Sequence, residues 1–181
     1  CILNTAEKPT GANIIRYIRS GFARIPSSKD VNKTVPLTLI DQHMVEEYIN
    51  YWDLKRKRWD KPIYAKATEE KDGENDMRSA TERRVEEIRS NIVTPLTDFA
   101  KSVKGAGGKE LVKRFTAFLF DKADIGAAIQ GKCQDNTTRE LRYVKELTEE
   151  YNQLWRVVSD MLSSLYETLD DTPMTLSEFS T

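Results

Sequence analysis

The sequence predicts an all-α protein, an irregular helical bundle that ends in one long C-terminal helix. From Asn136 to Leu169, about 34 residues, the chain has no Gly or Pro. There Leu141, Val144, Tyr151, Trp155, Val158, Leu162, Leu165 and Leu169 recur at three- and four-residue steps, the spacing of one helix face. Earlier apolar segments keep the same period, and none alternates with the period of two that a half-buried strand needs.

Taken in order, Asn13–Ala23 carries Ile14, Ile15, Tyr17, Ile18 and Phe22, with Asn13 as the cap and Gly21 weakening the end. Arg24–Pro36 is rich in Pro, Ser, Asp and Asn and reads as a loop. Thr38 opens a second helix that places Leu39, Ile40, Met44, Val45, Tyr48, Ile49 and Trp52 on one face. Polar residues follow to Lys61, and Pro62 bars helix continuation. Residues 65–80, centred on an acidic run from Glu69 to Asp76, lack apolar periodicity and read as a mobile polar loop. A third helix runs from about Thr81 through Val85, Ile88, Ile92, Leu96, Phe99 and Val103; Pro95 inside it predicts a kink or two abutting helices. Gly105-Ala106-Gly107-Gly108 breaks the chain before a fourth helix with Leu111, Val112, Phe115, Phe118, Leu119 and Phe120, and Ala123–Ile129 adds a short one.

Thr137-Thr138-Arg139-Glu140 can start the long helix as a capping box. Thr172-Pro173 stops it. Leu147, Leu154 and Met161 widen its stripe, as a core-facing rod roughly 50 Å long requires. Thr175-Leu176-Ser177-Glu178 is a second capping box, with Phe179 opening a last helix.

At 181 residues the chain suits a single helical domain, residues 1–181. Charged residues make up 31% and hydrophobic ones 39%, and no apolar stretch approaches the roughly 20 residues that cross a bilayer. Cys1 and Cys133 form no CxxC or Cys/His cluster and read as free thiols of a reducing cytosol. The chain begins on Cys rather than Met and stops just after a helix signal, so both ends read as cut from a larger protein. From Glu146 onward eight acids accompany the single base Arg156, so that end carries −7 and residues 1–145 carry +6 of a net −1. Such a split suits an anionic partner at one end, or a solvated dipolar surface.

Catalytic signatures fail one by one. Gly108-Lys109 is followed by Glu110, and no strand precedes it, so the glycine cluster is a helix-terminating linker rather than a phosphate loop. His43 is the only histidine, four residues before Glu47, which excludes multi-histidine metal sites. The pairs Glu149-Glu150 and Asp170-Asp171 diverge by about 100° on a helix. The sequence therefore assigns no catalytic residue and no metal ligand. One cluster remains, from Tyr51 to Lys61, where Lys55, Arg56, Lys57 and Arg58 stand between Trp52 and Trp59. These cations, with Lys61, can pair with phosphates while an indole stacks. They also suit a solvated helix C-terminus, the reading that sequence physics alone favours, with Trp59 anchoring the loop in the core.

The same pieces, in order, resemble the AddB/RexB family, one of the two chains of the bacterial AddAB/RexAB helicase–nucleases. Ile14-Ile15-Arg16-Tyr17-Ile18-Arg19-Ser20-Gly21-Phe22 is similar to that family's "FRYLKTGL" helix. Glu47-Tyr48-Ile49-Asn50-Tyr51-Trp52 and Lys55–Trp59 stand in place of its "ENYVLxxGIxGxxW" stretch, where Leu54 and Arg56 depart from the pattern. Glu86–Leu96 is similar to "IRxxVVEPL". Tyr151–Trp155, Met161-Leu162, Asp170-Asp171 and Met174–Phe179 are similar to "YxQVWNxLLDLLDQLVEVLGDEKLSLEEF". The resemblance covers most of residues 14–64 and 82–181.

It implies a helical insertion of the second helicase-like domain, in a cytoplasmic enzyme that unwinds and resects double-strand DNA breaks for recombinational repair and helps recognise Chi. It implies two partners, double-stranded DNA and the catalytic helicase–nuclease A subunit. The family's ATP, Mg and iron–sulfur sites lie elsewhere in its chain, so no cofactor is expected in this segment, nor any ATPase or nuclease activity. The alternative is a stand-alone helical protein-interaction module that does not bind DNA.

Overall fold

Thr10 fixes where the first long apolar face begins. In this computed structural model, which describes residues 2–27, 30, 33–62, 73–134 and 141–180, a short helix α1 (Ile2–Glu7) precedes α2 (Gly11–Arg19). The Thr10 hydroxyl caps α2 by accepting from the Asn13 N–H at 3.4 Å. Asn13 is thus inside the helix rather than its cap; its side-chain amide donates to the Lys8 carbonyl at 2.8 Å and pins the α1–α2 turn. Gly21, in the left-handed region at φ 73°, lies beyond the end of α2 at Arg19. The stretch read as a loop contains a small antiparallel pair, β1 (Arg24–Pro26) with β2 (Thr34–Pro36), in which Ile25 faces Val35. Three-residue strands are too short to show a period of two.

Helix α3 (Leu39–Tyr51) is capped by Thr38, which accepts from the Asp41 N–H at 3.1 Å. Its buried face is Asp41, Val45 and Ile49, one residue every turn. Leu39 and Ile40, expected inside, are 82% and 75% exposed, and Trp52 is also turned outward. The buried Asp41 is satisfied by Arg84, whose Nε and Nη2 each donate to it at 2.9 Å. That fork holds the Asp41 carboxyl below its ordinary range, and joins α3 to α4 (Gly73–Ser102). Helix α4 starts eight residues before the expected Thr81, so residues 73–80 of the expected loop are helical; its other part, residues 65–72, lies outside the described residues. Pro95 is accommodated within one continuous helix.

The chain divides into two compact units, Cys1–Asp98 and Phe99–Thr181. The core of the first is Ile14 and Ile18 of α2, Val45 and Ile49 of α3, and Val85, Ile88, Val93 and Leu96 of α4.

In the second unit, α5 (Gly108–Ala117) runs into a π-helical turn, Phe118–Lys122, then α6 (Ile125–Gln134), α7 (Leu141–Thr168) and α8 (Leu176–Phe179). The π turn aims Phe118 and Leu119 inward while Phe120 meets Trp155 edge-on at 5.1 Å. Phe99 stacks on Phe118 at 4.8 Å, and Phe115 meets Phe179 of α8 at 5.9 Å. The Thr175–Glu178 capping box is present in full. The box expected at Thr137–Glu140 lies outside the described residues, as do Cys1 and the Cys133 side chain.

The glycine cluster serves close approach. A Cβ on Gly107 would stand 2.5 Å from the Asp171 carbonyl oxygen, and one on Gly108 would stand 2.9 Å from that of Asp170. The Lys109 N–H donates to the Asp170 carbonyl and the Met174 N–H to that of Ala106. These bonds fix the segment after α7 against the start of α5.

Among the described side chains of α7 only Leu162 is buried, while Leu154, Val157, Met161 and Leu165 are exposed. The rod is present, but much of its apolar surface meets solvent. No helix among the described residues is long and apolar enough to cross a membrane.

Candidate nucleic-acid interface

The basic segment begins where α3 stops. Asp53 takes the left-handed conformation at φ 49°. The Leu54 N–H reaches back to the Ile49 carbonyl at 2.9 Å and the Asp53 N–H to that of Asn50 at 3.2 Å. This pair of bonds is a Schellman stop, here built on Asp where glycine is commoner. It reverses the chain immediately before Lys55.

The segment is then pinned against the start of α2. The Ala12 N–H donates to the Lys55 carbonyl at 3.0 Å and the Gly11 N–H to that of Lys57 at 3.2 Å. The Trp59 N–H donates to the Pro9 carbonyl at 2.7 Å, and Thr10 and Arg58 form an isolated bridge. Two donors that the first turn of α2 would otherwise leave unpaired are satisfied in this way. Gly11 permits the approach, since a Cβ there would stand 2.6 Å from the Leu54 carbonyl oxygen.

Trp59 closes the segment from inside at 4% exposure, with its indole N–H lacking an acceptor among the described residues. Arg58 is engaged with Asp60, at 3.1 Å from Nε and 2.8 Å from Nη2, and that guanidinium holds the Asp60 carboxyl below its usual range. Beneath it the buried Arg89 donates to the Asp60 carbonyl at 3.4 Å while gripping Glu86 at 2.7 and 2.5 Å.

This leaves Lys55, Arg56 and Lys57 exposed, without an acidic partner among the described residues, and Lys61 exposed beyond them. The sequence-derived candidates therefore separate. Lys55, Arg56, Lys57 and Lys61 stand outward, Arg58 shares its charge with Asp60, and Trp59 serves the interior. Outward aromatic surface comes instead from Tyr51 and Trp52, 78% and 51% exposed and in edge contact at 5.1 Å. Sequence spacing places Trp52 on the core face; Asp53 at the helix stop is the signal that the chain turns there.

Elsewhere, His43 and Glu47 pair at 3.1 Å on the solvent side of α3. No group of three His, Cys, Asp or Glu able to hold a metal occurs among the described residues. Lys55, Arg56, Lys57 and Lys61 thus form an outward run of cations beside the two exposed rings of Tyr51 and Trp52.

The chain is 27% identical over 179 residues to the B subunit of the ATP-dependent helicase/deoxyribonuclease of Clostridium perfringens strain ATCC 13124, across 94% of its own length. The chain resembles a region of that helicase/deoxyribonuclease. It is likewise 23% identical to the corresponding protein of Clostridium botulinum strain Loch Maree over 94% of its length, and 23% identical to that of Clostridium acetobutylicum over 92%. It spans 14% of the length of these curated relatives. No protein-family model matches the chain, and no solved structure does.

Proposed function

We propose that this chain acts as a non-catalytic helical region of an ATP-dependent helicase/exonuclease that processes double-strand DNA breaks for recombinational repair. In this reading it is a scaffold that touches duplex DNA through Lys55, Arg56, Lys57 and Lys61, in an assembly with the catalytic A subunit. ATP, Mg and an iron–sulfur cluster belong to other parts of the parent protein. The observation that carries the reading is the Lys55–Lys57 part of the strip, pinned by backbone hydrogen bonds to α2 and exposed without an acidic partner among the described residues. Phosphate neutralisation rewards such a strip because it releases counterions from DNA. The names of the relatives supply the class of nucleic acid.

Fluorescence anisotropy with a labelled duplex at low salt tests it. Substituting Lys55, Arg56 and Lys57 together with Ala removes most of the affinity while far-UV circular dichroism stays unchanged. Unchanged binding in that variant takes the strip out of the reading.

A second reading is a protein-interaction module without DNA binding. The apolar surface that α7 leaves exposed at Leu154 and Met161, 54% and 59%, favours it. Under it the duplex is not bound at any salt concentration.

A further inference from the structure

The interior position of Trp59 moves the aromatic part of the site to the end of α3. Tyr51 and Trp52 occupy its last residue and its C-cap. Trp52 is in ring contact with Tyr51 at 5.1 Å and with Tyr48 at 6.3 Å, yet half its surface faces solvent. Three residues on come Lys55, Arg56 and Lys57, whose exposed side chains have no acidic partner among the described residues. At most about 10 Å of chain separates Trp52 from Lys55, the reach of roughly three stacked nucleotides at 3.4 Å each.

We infer that Tyr51 and Trp52 with Lys55, Arg56 and Lys57 form a site for an unpaired segment of DNA, so that this surface prefers a strand end or a fork to continuous duplex. The inference rests on the DNA reading above and goes further in naming the form of the ligand. Cations alone do not discriminate, because every nucleic acid carries phosphates. An exposed ring does, because a base offers its flat face only where it is not stacked between neighbours. The arrangement here is an aromatic platform with phosphate-binding cations immediately downstream, the combination by which single strands are held. The helix stop fixes their spacing, since the Leu54-to-Ile49 and Asp53-to-Asn50 hydrogen bonds lock the turn between rings and cations.

The test uses the whole chain and two competitors against a labelled forked duplex, an oligo-dT strand and relaxed closed-circular duplex DNA. The expected result is that oligo-dT competes better per nucleotide than the circle. Trp52→Ala and Tyr51→Ala should each weaken oligo-dT binding roughly tenfold, as loss of one stacked base does, and leave the circle's affinity unchanged. Trp52→Phe should keep most of the affinity but lose the tryptophan quenching that oligo-dT causes in the parent chain. It guards against misfolding because it retains a ring at the same position.

Equal competition by both DNAs, or aromatic variants that bind oligo-dT as the parent does, overturns the inference. If the Lys55, Arg56 and Lys57 substitutions still abolish duplex binding in that case, the broader DNA reading stands without it. No binding of any DNA by the parent chain removes both.

Discussion

Asp53 is the residue on which the candidate site turns, and it sits there under strain. A non-glycine residue in the left-handed region costs about 1 kcal/mol, less for Asp and Asn than for other side chains. Its carboxylate also stands two residues before Lys55, where it opposes an approaching phosphate. Asp53→Asn keeps the tolerated backbone and removes that charge, so DNA should bind several-fold tighter at low salt with thermal stability nearly unchanged. Asp53→Gly should do the same and raise Tm by less than about 2–4 °C, the change that a full 1 kcal/mol gives in a chain of this size. Anisotropy and a thermal melt read the two effects separately. Asp41 behaves in the opposite sense, as a carboxylate the fold needs. Its carboxyl is held below the ordinary range first by Arg84, so its stabilisation is fully present above the unfolded value near 4. It is lost as pH falls from there through the lower folded value. Arg84→Met should therefore cost about 2 kcal/mol at pH 7, less than a fully buried pair because Arg84 is one-third exposed. The variant should also lose less stability than the parent between pH 5 and 2, as followed by urea denaturation.

Helix α7 shows what apolar spacing can and cannot reveal. Its period was legible, and the helix covers Leu141–Thr168, yet among the described residues of its stripe only Leu162 is buried. Leu162→Ala should cost about 2–4 kcal/mol as a core cavity. Met161→Ala, beside it and 59% exposed, should stay within about 0.5 kcal/mol; chemical denaturation of both variants measures the contrast. The same limit explains α3. Leu39 and Ile40 have apolar side chains but face solvent, because the buried register is Asp41, Val45 and Ile49 and the charge at its head is matched by Arg84. A partner 43 residues away in sequence leaves no local mark. Helix caps were read well where side chain and spacing coincide, as at Thr38 and Thr175. They were misread where a neighbour competes, as Thr10 does with Asn13. The cation strip was legible as a run of Lys and Arg. Trp59 was legible as the residue that anchors the loop in the core, but the withdrawal of Arg58 from the strip was not, because Arg58 turns to Asp60 only once the segment is pinned to α2.

For the molecule as a whole, a net charge of −1 and a pI near 6.0 give almost no long-range attraction for DNA. Association must then rely on the few cations that touch phosphates, since steering by the summed field requires an excess of one sign. The salt dependence should be correspondingly shallow. Each neutralised phosphate contributes about −0.9 to the slope of log K against log salt on duplex DNA. Contacts from Lys55, Arg56, Lys57 and Lys61 therefore predict a slope between about −3 and −4. Each single Ala substitution among them should reduce its magnitude by about 1, whereas Arg58→Ala should reduce it less because that charge is already shared with Asp60. A titration at four or more salt concentrations measures this directly. A slope far steeper than about −4 would mean that basic residues outside the strip carry the binding, and a slope near zero would mean that phosphates are not what this surface recognises.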